Sequence, residues 1–169
     1  MSQQSAFDSP PPDHAHFRHP VRVYWEDTDA GGIVFYGNYL KFMERARTEW
    51  LSSIGFGQEA MRQSGEGMFV VADTQMRFLR PARLDDRLTV TVTVTELGRA
   101  SVAFLQDVWC GQTLLTQGQV RVGWVQPRAG ADGERVLKPG RIPARILARL
   151  NEALPASFSN TSSPQAMEA

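Results

Sequence analysis

The stretch that most restricts the possible folds runs Leu88-Thr89-Val90-Thr91-Val92-Thr93-Val94-Thr95-Glu96. It alternates strictly, with Leu and Val on one side and Thr on the other, and is β-branched almost throughout. A β-strand sends successive side chains to opposite faces, so the pattern predicts a strand with one dry face. A chain with such a strand must build a sheet and cover one side of it.

The rest of the sequence supplies partners for that strand. Val21, Val23 and Trp25 alternate with Arg22 and Tyr24 and predict a short strand over Val21 to Trp25. From Met68 to Phe78 the even positions are mostly apolar, while Asp73, Gln75 and Arg77 lie opposite, and Pro81 closes the segment. Leu97-Gly98-Arg99 leads tightly into a strand over Ala100 to Trp109, and Cys110-Gly111-Gln112 turns into a last strand, Thr113 to Gln126, ended by Pro127. Strands joined by such short turns run antiparallel.

Between the first and second strands, Asn38 to Ser53 carries apolar residues at 39, 40, 42, 43, 46, 50 and 51, with Lys41, Glu44, Arg45, Arg47 and Glu49 opposite. This is an amphipathic helix, about 24 Å long at about 1.5 Å per residue. Asn38 is a preferred N-cap residue and Gly55 a C-terminal stop. A short helical turn falls around Gln58 to Gln63, residues 129–133 read as loop, and Ile142 to Leu150 as a peripheral helix. The simplest packing is α+β: a five-stranded antiparallel sheet wrapped around one long helix.

A chain of 169 residues suits one domain, expected over residues 20–153, between disordered tails at 1–19 and 154–169. Lys+Arg and Asp+Glu are 18 each, so no global basic charge attracts nucleic acid. No apolar run approaches the roughly 18 to 20 residues of a membrane helix, and residues 1–20 lack the apolar centre of a secretory signal. The single Cys110 suits a reducing compartment, so a cytoplasmic location is expected. Following Trp109 in an apolar strand, Cys110 reads as core filler rather than nucleophile. His14, His16 and His19 are joined by no Cys or acidic cluster, so no metal site is expected.

The chemistry concentrates between Trp25 and Asn38, in Trp-Glu-Asp-Thr-Asp-Ala-Gly-Gly-Ile-Val-Phe-Tyr-Gly-Asn. Asp27 and Asp29 are two apart, so they share a side if the strand geometry continues through them. Gly31-Gly32 allows positive φ or close approach of a ligand. A carboxylate just before the free N–H groups of a helix start can attack a carbonyl, or activate water, while those N–H groups polarise it. An aspartate in a Gly-rich loop also commonly caps its own turn, and the residues alone leave both roles open for Asp29.

The pattern D-x-D-x-x-G-I-V-F-Y-x-N-Y followed by F-M-E-R-A-R resembles the 4-hydroxybenzoyl-CoA thioesterase branch of the hotdog superfamily, and within it the acyl-CoA thioesterases associated with the bacterial Tol-Pal system. The resemblance covers roughly Pro20 to Pro127 and is most specific over Val21 to Trp50. It implies the hotdog fold, with Asp29 as the catalytic carboxylate and the Tyr36 N–H polarising the thioester carbonyl. Asp27 is then structural. It further implies that Glu44 meets a substrate hydroxyl in the aromatic branch, although a salt-bridged helix carboxylate is the plainer reading. Phe69 and Val70 fall where the acyl site is lined, and Arg99 matches one member of a cluster that grips the nucleotide phosphates of coenzyme A. Gly98 and Ala100 stand at the other two positions of that cluster.

Many Tol-Pal-associated members carry histidine where this chain has Tyr36, so a histidine-assisted base is not expected. The implied substrate is an acyl-CoA, or an acyl group on acyl carrier protein. No cofactor is expected beyond the coenzyme A of the substrate, and the assembly is expected to be a homodimer or homotetramer with shared sites. Hydrolysis of short aliphatic esters is the first reading. Hydrolysis of an aromatic ester and a non-catalytic scaffold for lipid-synthesis proteins are the alternatives.

Overall fold

The alternating stretch forms β3 (Arg87–Leu97), and Leu88, Val90, Val92 and Val94 are all buried on its inner side. The computed structural model describes residues 15–130, 132, 134–156 and 158. Its other strands are β1 (Phe17–Arg22), β2 (Met68–Phe78), β4 (Ser101–Cys110), β5 (Thr113–Ala129) and β6 (Arg135–Pro139). The helices are α1 (Asn38–Ser53), α2 (Gln58–Ser64) and α3 (Ala144–Glu152). The sheet order is β1-β3-β4-β5-β2, with β6 beside β5 and every pairing antiparallel.

This is the hotdog architecture: a curled sheet around α1. Phe42, Met43 and Ala46 are fully buried in the same core as the valines of β3. The Trp50 ring meets Phe104 edge-on at 5.5 Å. Burying each large apolar side chain contributes on the order of 1.5–3 kcal/mol, so this face of α1 holds the layers together. The helix has the bounds its periodicity predicts, and Gly55, at φ +96, stops it as expected.

The sheet has six strands rather than five. β5 runs through Pro127 and pairs with β6 beyond its last β4 pair, Ser101 with Gly123. Trp124 donates to Ala100 and accepts from Gly140 on that side, so the backbone groups of Pro127, three residues on, turn to the opposite side. There β2 has stopped at Val125, so the missing N–H costs no ladder bond.

The first strand also differs from expectation. It begins at Phe17 and ends at Arg22, and Trp25–Asp27 is a 3-10 turn. Pro20 is accommodated because β1 lies at the sheet edge, paired only with β3. Residues 17–19, assigned to a tail from sequence, are therefore part of the sheet. His16 adds to this, accepting the Val94 N–H at Nδ1 (3.0 Å). His14 lies outside the described residues, and among those described no group of His, Cys, Asp and Glu could hold a metal.

β2 has no dry face within one chain. It is the other sheet edge, and a bulge between Val71 and Asp73 breaks its alternation. Before the bulge, Phe69 turns inward against Trp124 (4.9 Å between ring centroids), whereas after it Met76 does. Cys110 is part-buried at the end of β4, and burial pushes its thiol up, away from the thiolate. Among the described residues no helix is long and apolar enough to cross a membrane.

Candidate active site

Asp27 builds the frame. It is 5% exposed, and its Oδ2 accepts the Tyr24 N–H at 2.9 Å across the 3-10 turn. Its carbonyl accepts two bonds, from Asn38 Nδ2 (3.0 Å) and from the Phe35 N–H (2.9 Å). The start of the loop is thereby tied to the start of α1. Asn38 does not cap the helix as expected; its amide is spent on this tie, and Gly37 occupies the cap position.

From this frame the chain makes a small hairpin. Thr28 bridges Val34, Asp29 N–H donates to Ile33 (2.9 Å), and Gly32 N–H donates to the Asp29 carbonyl (3.0 Å). Gly32 takes φ +72, the left-handed region that favours glycine. Gly31 N–H donates to Asp29 Oδ1 at 2.8 Å, and a side chain there would put its Cβ 3.0 Å from the same oxygen. The turn at Trp25–Asp27 also ends the strand geometry, so the two aspartates do not share a side: Asp27 is buried and Asp29 exposed.

Tyr36 follows at the turn into α1. The residue is 66% exposed, and its ring centroid lies 4.6 Å from that of Phe35 and 6.3 Å, edge-on, from that of Phe78. The next N–H but one, of Asn38, donates to the Phe35 carbonyl at 2.8 Å, whereas the Tyr36 N–H meets no acceptor among the described residues. It stands at the positive end of the α1 dipole, the place for an oxygen that gains negative charge.

Glu44 and Phe69 line a second feature, a cavity of about 200 Å³ between α1, β2 and the inner faces of β4 and β5. Trp50, Val71, Phe104 and Val122 supply most of its remaining apolar wall. Val71 takes the place expected of Val70, because it lies two residues from Phe69 and so on the same face of β2, ahead of the bulge; both valines are exposed at the sheet edge. Arg47 and Gln58 complete the polar part of the wall, and sequence reasoning passed over both. Burial holds the Arg47 guanidinium below its ordinary range, an effect the nearby Glu44 charge partly opposes.

Asp29 and Tyr36 do not line this cavity. Arg99 lies apart from both features, exposed beyond the far end of β3, with its carbonyl accepting the Ile142 N–H at 2.8 Å. The Asp29 hairpin packs by the near end of that strand, through Val34 N–H to Ala82. An eleven-residue strand extends about 33 Å, so one chain does not bring Arg99 to Asp29.

A carboxylate on a braced hairpin, leading into a helix N-terminus within a hotdog sheet, is an arrangement able to act on an activated carbonyl. Comparison with known proteins gives the class of the protein. Residues 31–117 match the thioesterase superfamily. The acyl-CoA thioester hydrolase YbgC of Escherichia coli is 39% identical over 137 residues, covering 80% of this chain and 96% of that protein. The acyl-CoA thioesterase YbgC of Haemophilus influenzae is 40% identical over 109 residues, covering 64% of this chain and 80% of that protein. Among solved structures, a Thermus thermophilus thioesterase complexed with coenzyme A and Zn aligns with TM-score 0.67 and 25% identity, covering 84% of this chain and 96% of its own. A probable thioesterase from Bartonella henselae aligns with TM-score 0.62 and 29% identity, covering 72% and 98%. The chain belongs to the thioesterase superfamily and is a thioester hydrolase.

Proposed function

We propose that the protein hydrolyses acyl-CoA thioesters with Asp29 as its working carboxylate. The observation that carries this reading is the Asp29 side chain, exposed on a hairpin braced by Asp27 and followed within one turn of chain by the unengaged Tyr36 N–H. The names of the E. coli and H. influenzae relatives and the coenzyme A bound to the T. thermophilus neighbour support the choice of carrier.

Asp29 either attacks the thioester carbon or takes a proton from the water that does. The carbonyl oxygen becomes an oxyanion and accepts the Tyr36 N–H. Collapse of the tetrahedral species breaks the C–S bond and releases the thiolate, itself a good leaving group that needs no strong acid. Water is consumed, either in the attack itself or in cleaving the acyl–Asp29 anhydride that direct attack leaves behind, and an acid and a thiol are formed with Asp29 restored. Short aliphatic esters, expected from sequence, reach this centre without entering the cavity. An aromatic ester is the second reading, favoured by Glu44 beside the Trp50, Phe69 and Phe104 rings.

The site is completed by a second copy. β2 leaves eleven residues of sheet edge open, with Val70, Val71 and Phe78 exposed along it, an arrangement that a monomer must otherwise protect. Antiparallel pairing of two such edges brings the partner's Phe69 end of β2 toward this chain's Phe78 and Tyr36. The tetramer, the cytoplasmic location, the Tol-Pal association and acyl carrier protein as an alternative carrier belong to the same reading.

The test is thiol release from a panel of acyl-CoAs, short aliphatic through long, with 4-hydroxybenzoyl-CoA included. Turnover of aliphatic esters supports the first reading, and preference for the aromatic ester supports the second. A folded protein that cleaves none of them, on coenzyme A or on acyl carrier protein, leaves the scaffold reading.

A further inference from the structure

Leu40, Glu44 and Arg47 follow one another on α1 at spacings of four and three, which places them on one side of the helix. Leu40 is well exposed, Glu44 and Arg47 line the cavity, and the row begins just beyond the Tyr36 N–H. At about 1.5 Å per residue, Arg47 lies about 13 Å along the axis from Asn38. An acyl group whose carbonyl sits at the helix start, and which follows this side of α1 past Leu40 into the cavity, is long enough to meet this arginine after about 13 Å.

Arg47 is held from behind. Gln106 is fully buried; its Nε2 donates to the Met43 carbonyl at 3.0 Å, and its Oε1 accepts from Arg47 Nη1. The amide is thus locked by the helix backbone and in turn fixes the guanidinium. Glu44 stands one turn away, but its Oε1 accepts from Thr48 Oγ1 at 2.7 Å, and Gln58 Nε2 donates to the same hydroxyl. A guanidinium has five N–H donors. Among the described residues Gln106 is the one side chain that bonds Arg47, and no carboxylate forms an ion pair with it. A guanidinium half-buried beside an apolar wall, with donors left over from Gln106, is placed to bond an oxygen that enters the cavity.

We propose that the cavity receives the acyl group of the thioester and that Arg47, oriented by Gln106, selects acyl groups bearing an oxygen acceptor at their far end. The apolar wall takes the body of such a group, and the guanidinium takes its hydroxyl or carboxylate oxygen. This rests on the thioester-hydrolase reading and adds to it a substrate class: oxygenated acyl groups long enough to span from the helix start to Arg47.

The experiment compares kcat/KM for three CoA esters of one chain length, about eight carbons: plain alkyl, ω-hydroxyl and ω-carboxyl. It uses the wild type, Arg47→Lys and Arg47→Met. Ratios between esters within one protein sample are unaffected by how much of that sample is folded. The wild type is expected to favour at least one oxygenated ester about tenfold or more over the alkyl ester, a typical return for one charge-assisted hydrogen bond. Arg47→Met is expected to erase or invert that ratio, and Arg47→Lys to restore part of it. A carboxylate preference identifies an anionic end and a hydroxyl preference a neutral one. A wild-type ratio near one overturns the proposal while leaving thioester hydrolysis intact, and so does an unchanged ratio in active Arg47→Met. Absence of thiol release from every ester, short ones included, overturns the hydrolase reading and this proposal together.

Discussion

The Tyr39 hydroxyl accepts the Ala82 N–H at 2.9 Å, fastening the first turn of α1 to the connection between β2 and β3. The carbonyl of the same Ala82 accepts the Val34 N–H at 2.9 Å, so the Asp29 hairpin and the helix start share one anchor. Both residues are buried, and the bond crosses 43 positions of sequence. Tyr39→Phe keeps the ring and leaves a buried N–H without its acceptor. It should lower unfolding free energy by about 1–3 kcal/mol, read from chemical denaturation.

Asp27 carries a second prediction. Asp27→Asn keeps a side-chain oxygen for the Tyr24 N–H, whereas Asp27→Ala removes it. The alanine variant should lose about 1 kcal/mol of stability and a larger share of kcat, because the hairpin holding Asp29 loses its brace. The asparagine variant should retain most of both. Equal loss in the two variants would mean that the charge of Asp27, rather than its hydrogen bond, matters to the reaction.

The Glu96–Arg121 pair predicts a pH effect on stability. Arg121 holds the Glu96 carboxyl below its ordinary range through two hydrogen bonds, at 2.7 and 3.2 Å. A depressed carboxylate contributes stability above its unfolded-state pKa of about 4.3, and that contribution is lost as pH falls through the folded value. Both side chains are more than a third exposed, so the contribution is about 0.2–1 kcal/mol at neutral pH and shrinks in high salt. Denaturation of wild type and Glu96→Gln at pH 7, 4 and 2.5 should show the difference closing toward acid.

The open edge of β2 predicts the assembly. Val70→Lys puts a charge on that edge, a device by which sheets avoid edge-to-edge pairing. Sedimentation should show the wild type as a dimer or larger and the variant shifted to monomer, with turnover falling in step. A wild-type monomer with full activity would exclude the shared site.

Much of this fold is legible in the sequence. The bounds of α1 follow from its apolar row and Gly55, and β3 from its alternation, because both signals are local and lie where burial is complete. β6 escapes notice because five residues ending in Lys-Pro carry no alternation, and its pairing depends on a stretch of β5 left open by β4. Val71 rather than Val70 lines the cavity because it shares a face with Phe69, and the run Met68-Phe69-Val70-Val71-Ala72 is apolar on both faces, so its residues do not declare which side turns inward. Asp29 and Tyr36 stand out because Gly31-Gly32 and the helix start surround them. Arg47 does not, since what distinguishes it from Arg45 is Gln106, 59 positions away on the sheet.

The most direct test of the central claim is single-site replacement of Asp29 by asparagine, with thiol release measured on the best acyl-CoA found for the wild type. The side chain keeps its size and an oxygen for the Gly31 N–H, so the unfolding midpoint should not move. A carboxylate acting as base or nucleophile predicts that kcat falls by about 10²- to 10⁴-fold while KM changes little. Wild-type turnover in a folded Asp29→Asn protein would contradict the account and send the search for the working group to the cavity of Glu44 and Arg47.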